Sequence, residues 1–149
     1  MYTDTITLFN RHKSSSGEIW YPSVLRNVNL NMDKASIVAK FGAESKNRAV
    51  LGIMYKAEAD KKLIGDKTWL PPKEWQRQNQ DLLDKSLTFT SGQQFDFFFV
   101  GEFESDKPII DDDFNDGFYN YMKSKYDFVF AVEEASFFSV IPHFEIIGK

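Results

Sequence analysis

The sequence predicts a mainly β (α+β) domain: a small β-barrel or strongly bent antiparallel sheet with two or three short inserted helices. Two observations carry this. The runs Thr3–Arg11 and Ser139–Lys149 mix β-branched and aromatic residues with alternating polar ones, as strands with one buried face do. The chain also holds 15 Phe, 6 Tyr and 3 Trp, an aromatic share of 16%. Rings of that size make a Phe-based core that suits pleated sheets better than helical bundles. The 149 residues are most simply one domain, 1–149.

The first strand is expected over Thr3–Phe9, with Ile6 and Leu8 on one face and the threonines on the other. His12–Gly17 reads as a polar, flexible loop. A second extended stretch begins at Ile19–Tyr21, is interrupted by Pro22 and resumes over Ser23–Leu30. Lys34–Phe41 fits a short helix capped by Asn31 to Asp33 and stopped by Gly42, with strand as the alternative. Ala49–Ala57 reads as a strand and Ile64–Lys67 as a turn. Pro72 is placed to open a helix over Lys73–Asp84. The strand pair Ser86–Thr90 and Gln94–Phe103 follows. Within it Phe95, Phe97 and Phe99 point one way and Phe98 and Val100 the other, the mark of a central strand. Asp111 to Asp113 are expected to favour the N-terminus of a helix over Phe114–Lys125. Tyr126–Glu133 and Ser139–Ile147 would be the last strands, linked through Glu134 to Ser136.

Composition narrows the function. With no cysteine, disulfides, thiolate nucleophiles, zinc ribbons and iron–sulfur clusters drop out. No basic start followed by an apolar run is present, and no stretch reaches membrane-spanning length, so neither export nor a membrane partner is expected. Residues 1–80 carry 13 Lys and Arg against 8 Asp and Glu, while residues 81–149 carry 5 against 14. If these halves map onto different surfaces, they suit head-to-tail packing of identical subunits. Dispersed basic residues and a pI of about 5.2 argue against tight phosphate binding.

The candidate chemistry is thin. Asp111, Asp112, Asp113 and Asp116 invite a calcium-loop reading, but the glycine falls one residue late and position 12 is Met122 rather than a bidentate carboxylate. His143 and Glu145 share one side of the last strand, half of a metal site or general-base unit with no evident third member. Ser14–Gly17 lacks the spacing of a nucleophile elbow or phosphate loop. No catalytic residue, cofactor or metal is expected, and the protein is read as non-enzymatic.

The opening Asp4–Arg11, the Trp20–Leu25 segment with Val28 after it, and the closing His143–Lys149 resemble small structural proteins of tailed phages and prophages of Gram-positive bacteria. Asp33–Ser45 and Leu70–Trp75 join the resemblance more loosely. It implies a head–tail connector: a head-closure or stopper-type neck subunit built on a small β-barrel, in rings of usually twelve copies around the DNA channel. Its neighbours would be portal-adaptor and tail-terminator or other tail proteins, and DNA would pass without sequence-specific binding. Its place would be the virion neck, after synthesis in the host bacterial cytoplasm. On this reading Thr5, Thr7, His143 and Glu145 are candidates for subunit contacts. Asp111, Asp112, Asp113 and Asp116 would line the channel or face a partner. A β-rich protein-binding module, a tail-terminator or other tail-proximal ring, and a hydrolase using His143, Glu145 and the aspartates are the alternatives.

Overall fold

A computed structural model describes residues 2–32 and 48–149. Its main sheet is antiparallel and orders its strands β1 (Asp4–Ser14), β8 (Phe97–Val100), β10 (Val129–Phe138), β11 (His143–Gly148), β3 (Ala49–Met54), β2 (Gly17–Asn31) and β9 (Ile109–Ile110). Because β1 also pairs with β2, the sheet is partly closed into a barrel. The fold is mainly β.

Closure depends on β2 changing partners. It pairs with β1 from Gly17 to Val28 and then with β3 from Asn29 to Asn31. Where it switches, the register slips between Asp4↔Val28 and Ile6↔Leu25, and Asn27 takes a left-handed φ of 57°. Asparagine tolerates that conformation better than most residues, and a bulge of this kind bends a strand. The Leu30 amide donates to the Asp4 carboxylate at 2.9 Å.

Around β1 and β8 the sheet is buried on both faces. Ile6, Leu8, Leu51, Ile53, Phe98, Phe144 and Ile146 fill the barrel. Phe9, Trp20, Phe97 and Val129 pack outward, against Phe118 and Met122 of helix α2 (Phe118–Lys125). Phe97 and Phe98 thus enter different cores, as their alternation predicts, and β8 has neighbours on both edges. A smaller sheet, β4 (Lys56–Glu58), β5 (Lys61–Ile64), β6 (Lys67–Trp69) and β7 (Ser86–Leu87), adds Ile64 and Leu87 to the barrel core. Gly65, at φ +61°, makes the tight β5–β6 turn where a turn is expected.

Several boundaries differ from expectation. His12–Gly17 is no loose loop: β1 and β2 pair out to Ser14↔Gly17 around a tight turn. Pro22 does not interrupt β2, for it lies opposite Phe9 within the ladder. The helix expected over Lys73–Asp84 is two pieces, α1 (Pro72–Gln76) and a 3-10 turn (Gln80–Lys85). Trp75 and Leu83 still share one small core with Tyr21. Helix α2 begins only at Phe118, after Gly117 at φ +86°. The last hairpin turns at 139–142 rather than at Glu134 to Ser136, because β10 runs on to Phe138. The helix expected over Lys34–Phe41 lies outside the described residues.

Candidate functional site

The most exposed apolar surface gathers at the tip of the β10–β11 hairpin. Beyond Val132 every residue of β10 is exposed, while β11 keeps Phe144, Ile146 and Gly148 buried. Val140 and Ile141, in the connecting turn, are 96% and 66% exposed, and Phe137, Phe138 and Met54 are each about half exposed. No Asp, Glu, Lys or Arg occurs between 135 and 144. Turns are ordinarily polar because their backbone faces water, and a contiguous apolar patch of this kind marks an interaction surface.

Local contacts hold the tip in place. The Tyr55 amide donates to the Pro142 carbonyl at 3.2 Å, and the Tyr55 hydroxyl donates to the Phe138 carbonyl at 3.0 Å. Phe137 sits 6.0 Å from Trp69, and the Lys62 ammonium lies 4.4 Å from the Phe137 ring centroid, within cation–π range.

Of the residues singled out from sequence, His143 and Glu145 adjoin this tip. The His143 ring stacks on Phe138 at 4.9 Å and 14°. Its Nδ1 lies 2.6 Å from the Ile141 carbonyl; since a carbonyl only accepts, Nδ1 carries the proton. Nε2 is 3.8 Å from the Glu145 carboxylate, too far for a hydrogen bond. Thr5 and Thr7 lie elsewhere, on β1. Thr7 is fully buried, its hydroxyl donating to the Gly101 carbonyl at 2.8 Å and accepting from the Phe103 amide at 2.9 Å. The Thr5 carbonyl accepts from the Gly101 amide at 3.0 Å. Thr7 is therefore a fastener between β1 and the segment after β8, with no surface to offer a neighbouring subunit. The outward face of β1 is covered, not solvated.

The four aspartates divide in the same way. Asp111 Oδ1 accepts from the Trp20 indole N–H at 2.9 Å and from the Phe118 amide at 2.8 Å. It therefore caps the start of α2 from outside the helix. Asp112, Asp113 and Asp116 are exposed. Among the described residues no group of three or more His, Cys, Asp or Glu side chains is placed to hold a metal ion. No described helix is long and apolar enough to cross a membrane.

One acid escaped the sequence reading. Asp96 is fully buried and accepts from the Arg11 amide at 2.8 Å, the Thr90 amide at 2.8 Å and the Asn10 side-chain amide at 2.9 Å. Asn10 also donates to the Thr88 carbonyl at 2.7 Å. Burial pushes the Asp96 carboxyl up to about 7, against the opposing pull of these donors. The acid locks the loop before β8 onto β1. A lone Asp in a Phe-rich strand carries no sequence signal of that role.

No curated protein and no solved structure matches the chain. A family model does match, over residues 1–149, and the chain belongs to that family, DUF6751, a family of unknown function.

Proposed function

We propose that this chain is a non-enzymatic structural subunit that assembles with copies of itself at the head–tail junction of a tailed phage. The observation that supports assembly is the β10–β11 tip, where Val140 and Ile141 stand in solvent and Phe137 and Phe138 are half exposed, with no Asp, Glu, Lys or Arg from 135 to 144. Burying Val140 and Ile141 in a partner is worth about 1.5–3 kcal/mol each when complete. The phage setting comes from the resemblance of the terminal strands and the Trp20–Leu25 segment to neck proteins. In that setting the subunit forms a head-closure ring between portal-adaptor and tail proteins, and DNA passes through without sequence-specific contact. Exposed Asp112, Asp113 and Asp116 suit a surface from which DNA phosphate is repelled.

The test has two arms. Sedimentation velocity of the purified chain over a wide concentration range should show a ring or its oligomeric precursors. Co-expression with portal-adaptor and tail-terminator proteins from the same genome should yield a complex containing all three. A chain that stays monomeric at the highest concentration and joins neither partner would count against assembly and setting together.

A further inference from the structure

Strand β10 changes along its length from an inner strand to an edge. Over Val129–Ala131 it pairs with β8, and the Val132 amide still donates to the Asp96 carbonyl at 2.8 Å. Beyond Val132 its one ladder among the described residues is with β11. Backbone N–H and C=O groups left open on such an edge accept another strand. The start of the edge is guarded. Glu133 bulges out of the register between Val132↔Gly148 and Glu134↔Ile147, its carboxylate meets Arg48 at 2.6 Å, and Glu134 adds a second charge. From Ala135 to Phe138 there is no charge, no proline and no bulge.

The ladder decides which backbone groups face outward. Ala131 and Lys149 exchange both of their hydrogen bonds, at 3.0 and 2.9 Å, so Ile147, Glu145 and His143 also turn theirs toward β10. Their partners Glu134, Ser136 and Phe138 are thereby used within the chain. Ala135 and Phe137 turn N–H and C=O to the open side. On the other side of β11 the Tyr55 amide, bonded to the Pro142 carbonyl, continues the same alternation. The side chains divide between two faces. Ala135 and Phe137 lie with Ile146 and Phe144, while Glu134, Ser136 and Phe138 lie with Ile147, Glu145 and His143.

We infer that β10 pairs antiparallel with β10 of a second copy, about a two-fold axis at Ser136. This rests on the assembly part of the reading above, not on the phage setting, and names the surface. Residues opposed across an antiparallel pair share a face, so the axis falls on a residue. Centred on Ser136, the register sets Ala135 of each copy against Phe137 of the other, and every outward N–H and C=O is bonded. Centred on Ala135 it would set Phe137 against the bulge at Glu133; centred on Phe137 it would set Ala135 against the turn. The side chains fit the same register. The small Ala135 faces the Phe137 ring, and the two Ser136 side chains meet where strands approach most closely. Glu134 faces Phe138, beside which the His143 ring is stacked. The charged groups around this edge are Glu133, Glu134, Glu145 and Lys62, with Arg48 on Glu133, and none is set directly opposite a like charge. The pair is isologous and closes at two copies. A larger assembly then needs a further contact, for which Val140 and Ile141 remain outside the paired strands.

The chain has no cysteine, so single cysteines in the full chain report the register. Ser136→Cys places both thiols on the axis, at a Cα separation of about 4.5 Å for such a pair, inside the disulfide range of about 4.4–6.8 Å. Glu134→Cys, on the same face and also exposed, leaves the thiols about 13 Å apart along the strands. Under mild oxidation Ser136→Cys should form a covalent dimer at least tenfold faster than Glu134→Cys. Ala135→Pro removes an outward N–H and spares the β11 ladder. It should raise the concentration needed for association at least tenfold in sedimentation velocity. If circular dichroism shows that it does not fold, Ala135→Arg replaces it and obstructs the place of the Phe137 ring. Equal cross-linking of the two cysteines, or association that the Ala135 variant leaves unchanged, overturns the β10 pairing while sparing assembly. A chain that is monomeric alone, and loses a portal-adaptor or tail-terminator partner on Ala135→Pro, overturns self-pairing in favour of another strand on this edge. Wild type that neither associates nor binds those partners overturns the assembly reading itself.

Discussion

Asn10 and Asp96, 86 positions apart in sequence, meet in the interior at 2.9 Å. The amide of Asn10 bridges the Asp96 carboxylate and the Thr88 carbonyl, while the same carboxylate takes the Arg11 and Thr90 amides. Asp96→Ala strands those buried donors together. An unsatisfied buried donor costs about 1–3 kcal/mol, so urea denaturation should show a loss of about 3 kcal/mol or more. A loss under 1 kcal/mol would mean that water replaces the carboxylate freely.

The pH dependence of the same acid has a definite sign. Its carboxyl is raised from 3.8 to about 7 in the fold, so between those values the native state holds a proton that the unfolded chain has released. The contribution is complete below about pH 4 and is lost as pH rises through about 7. The stability difference between wild type and Asp96→Asn, measured from pH 4 to pH 8, should therefore shift against wild type as pH rises, then level off. A difference that stays flat, or moves toward wild type, would contradict a raised carboxyl.

Gly148 packs where no side chain fits. A Cβ there would lie 2.8 Å from the Phe130 Cβ and 2.8 Å from a Phe98 ring carbon. Gly148→Ala should cost about 1–3 kcal/mol by overpacking, read as a lower melting temperature without loss of far-ultraviolet signal. An unchanged melting temperature would show that the end of β11 shifts at no cost.

Asp111 and its neighbours separate structure from surface. Asp111→Ala removes both the Trp20 and the Phe118 hydrogen bonds and should destabilise by about 1–2 kcal/mol, with a change in tryptophan emission. Asp113→Ala, at an exposed position, should stay within about 0.5 kcal/mol of wild type. Equal losses at both would assign Asp113 a partner within the fold.

The mainly β class was legible because strand alternation and ring content are local properties. Phe97 and Phe98 went to opposite cores as their alternation requires. What the sequence hid was tertiary. The partner exchange of β2 at Asn27 leaves no mark in composition, and the burial of Thr7 depends on the segment around Gly101 and Phe103 folding over β1. The helix over Lys73–Asp84 failed because Trp75 and Leu83 reach the same core from separate turns. The sequence points to His143 and Glu145, which the fold places on β11 beside the exposed tip rather than within it. Val140 and Ile141 read as part of the last strand, because their apolar character fits a strand, whereas the fold leaves them in the turn between β10 and β11.

Tyr55 gives the hairpin an energetic character beyond its shape. With one hydrogen bond to the Pro142 carbonyl and one to the Phe138 carbonyl, the loop has already given up part of the backbone freedom that docking would otherwise remove, about 1–2 kcal/mol for each residue fixed. Tyr55→Phe, which removes only the bond to the Phe138 carbonyl, should thus weaken association without changing any side chain of the exposed tip. Affinity would then be set in part by a residue that its partner never meets.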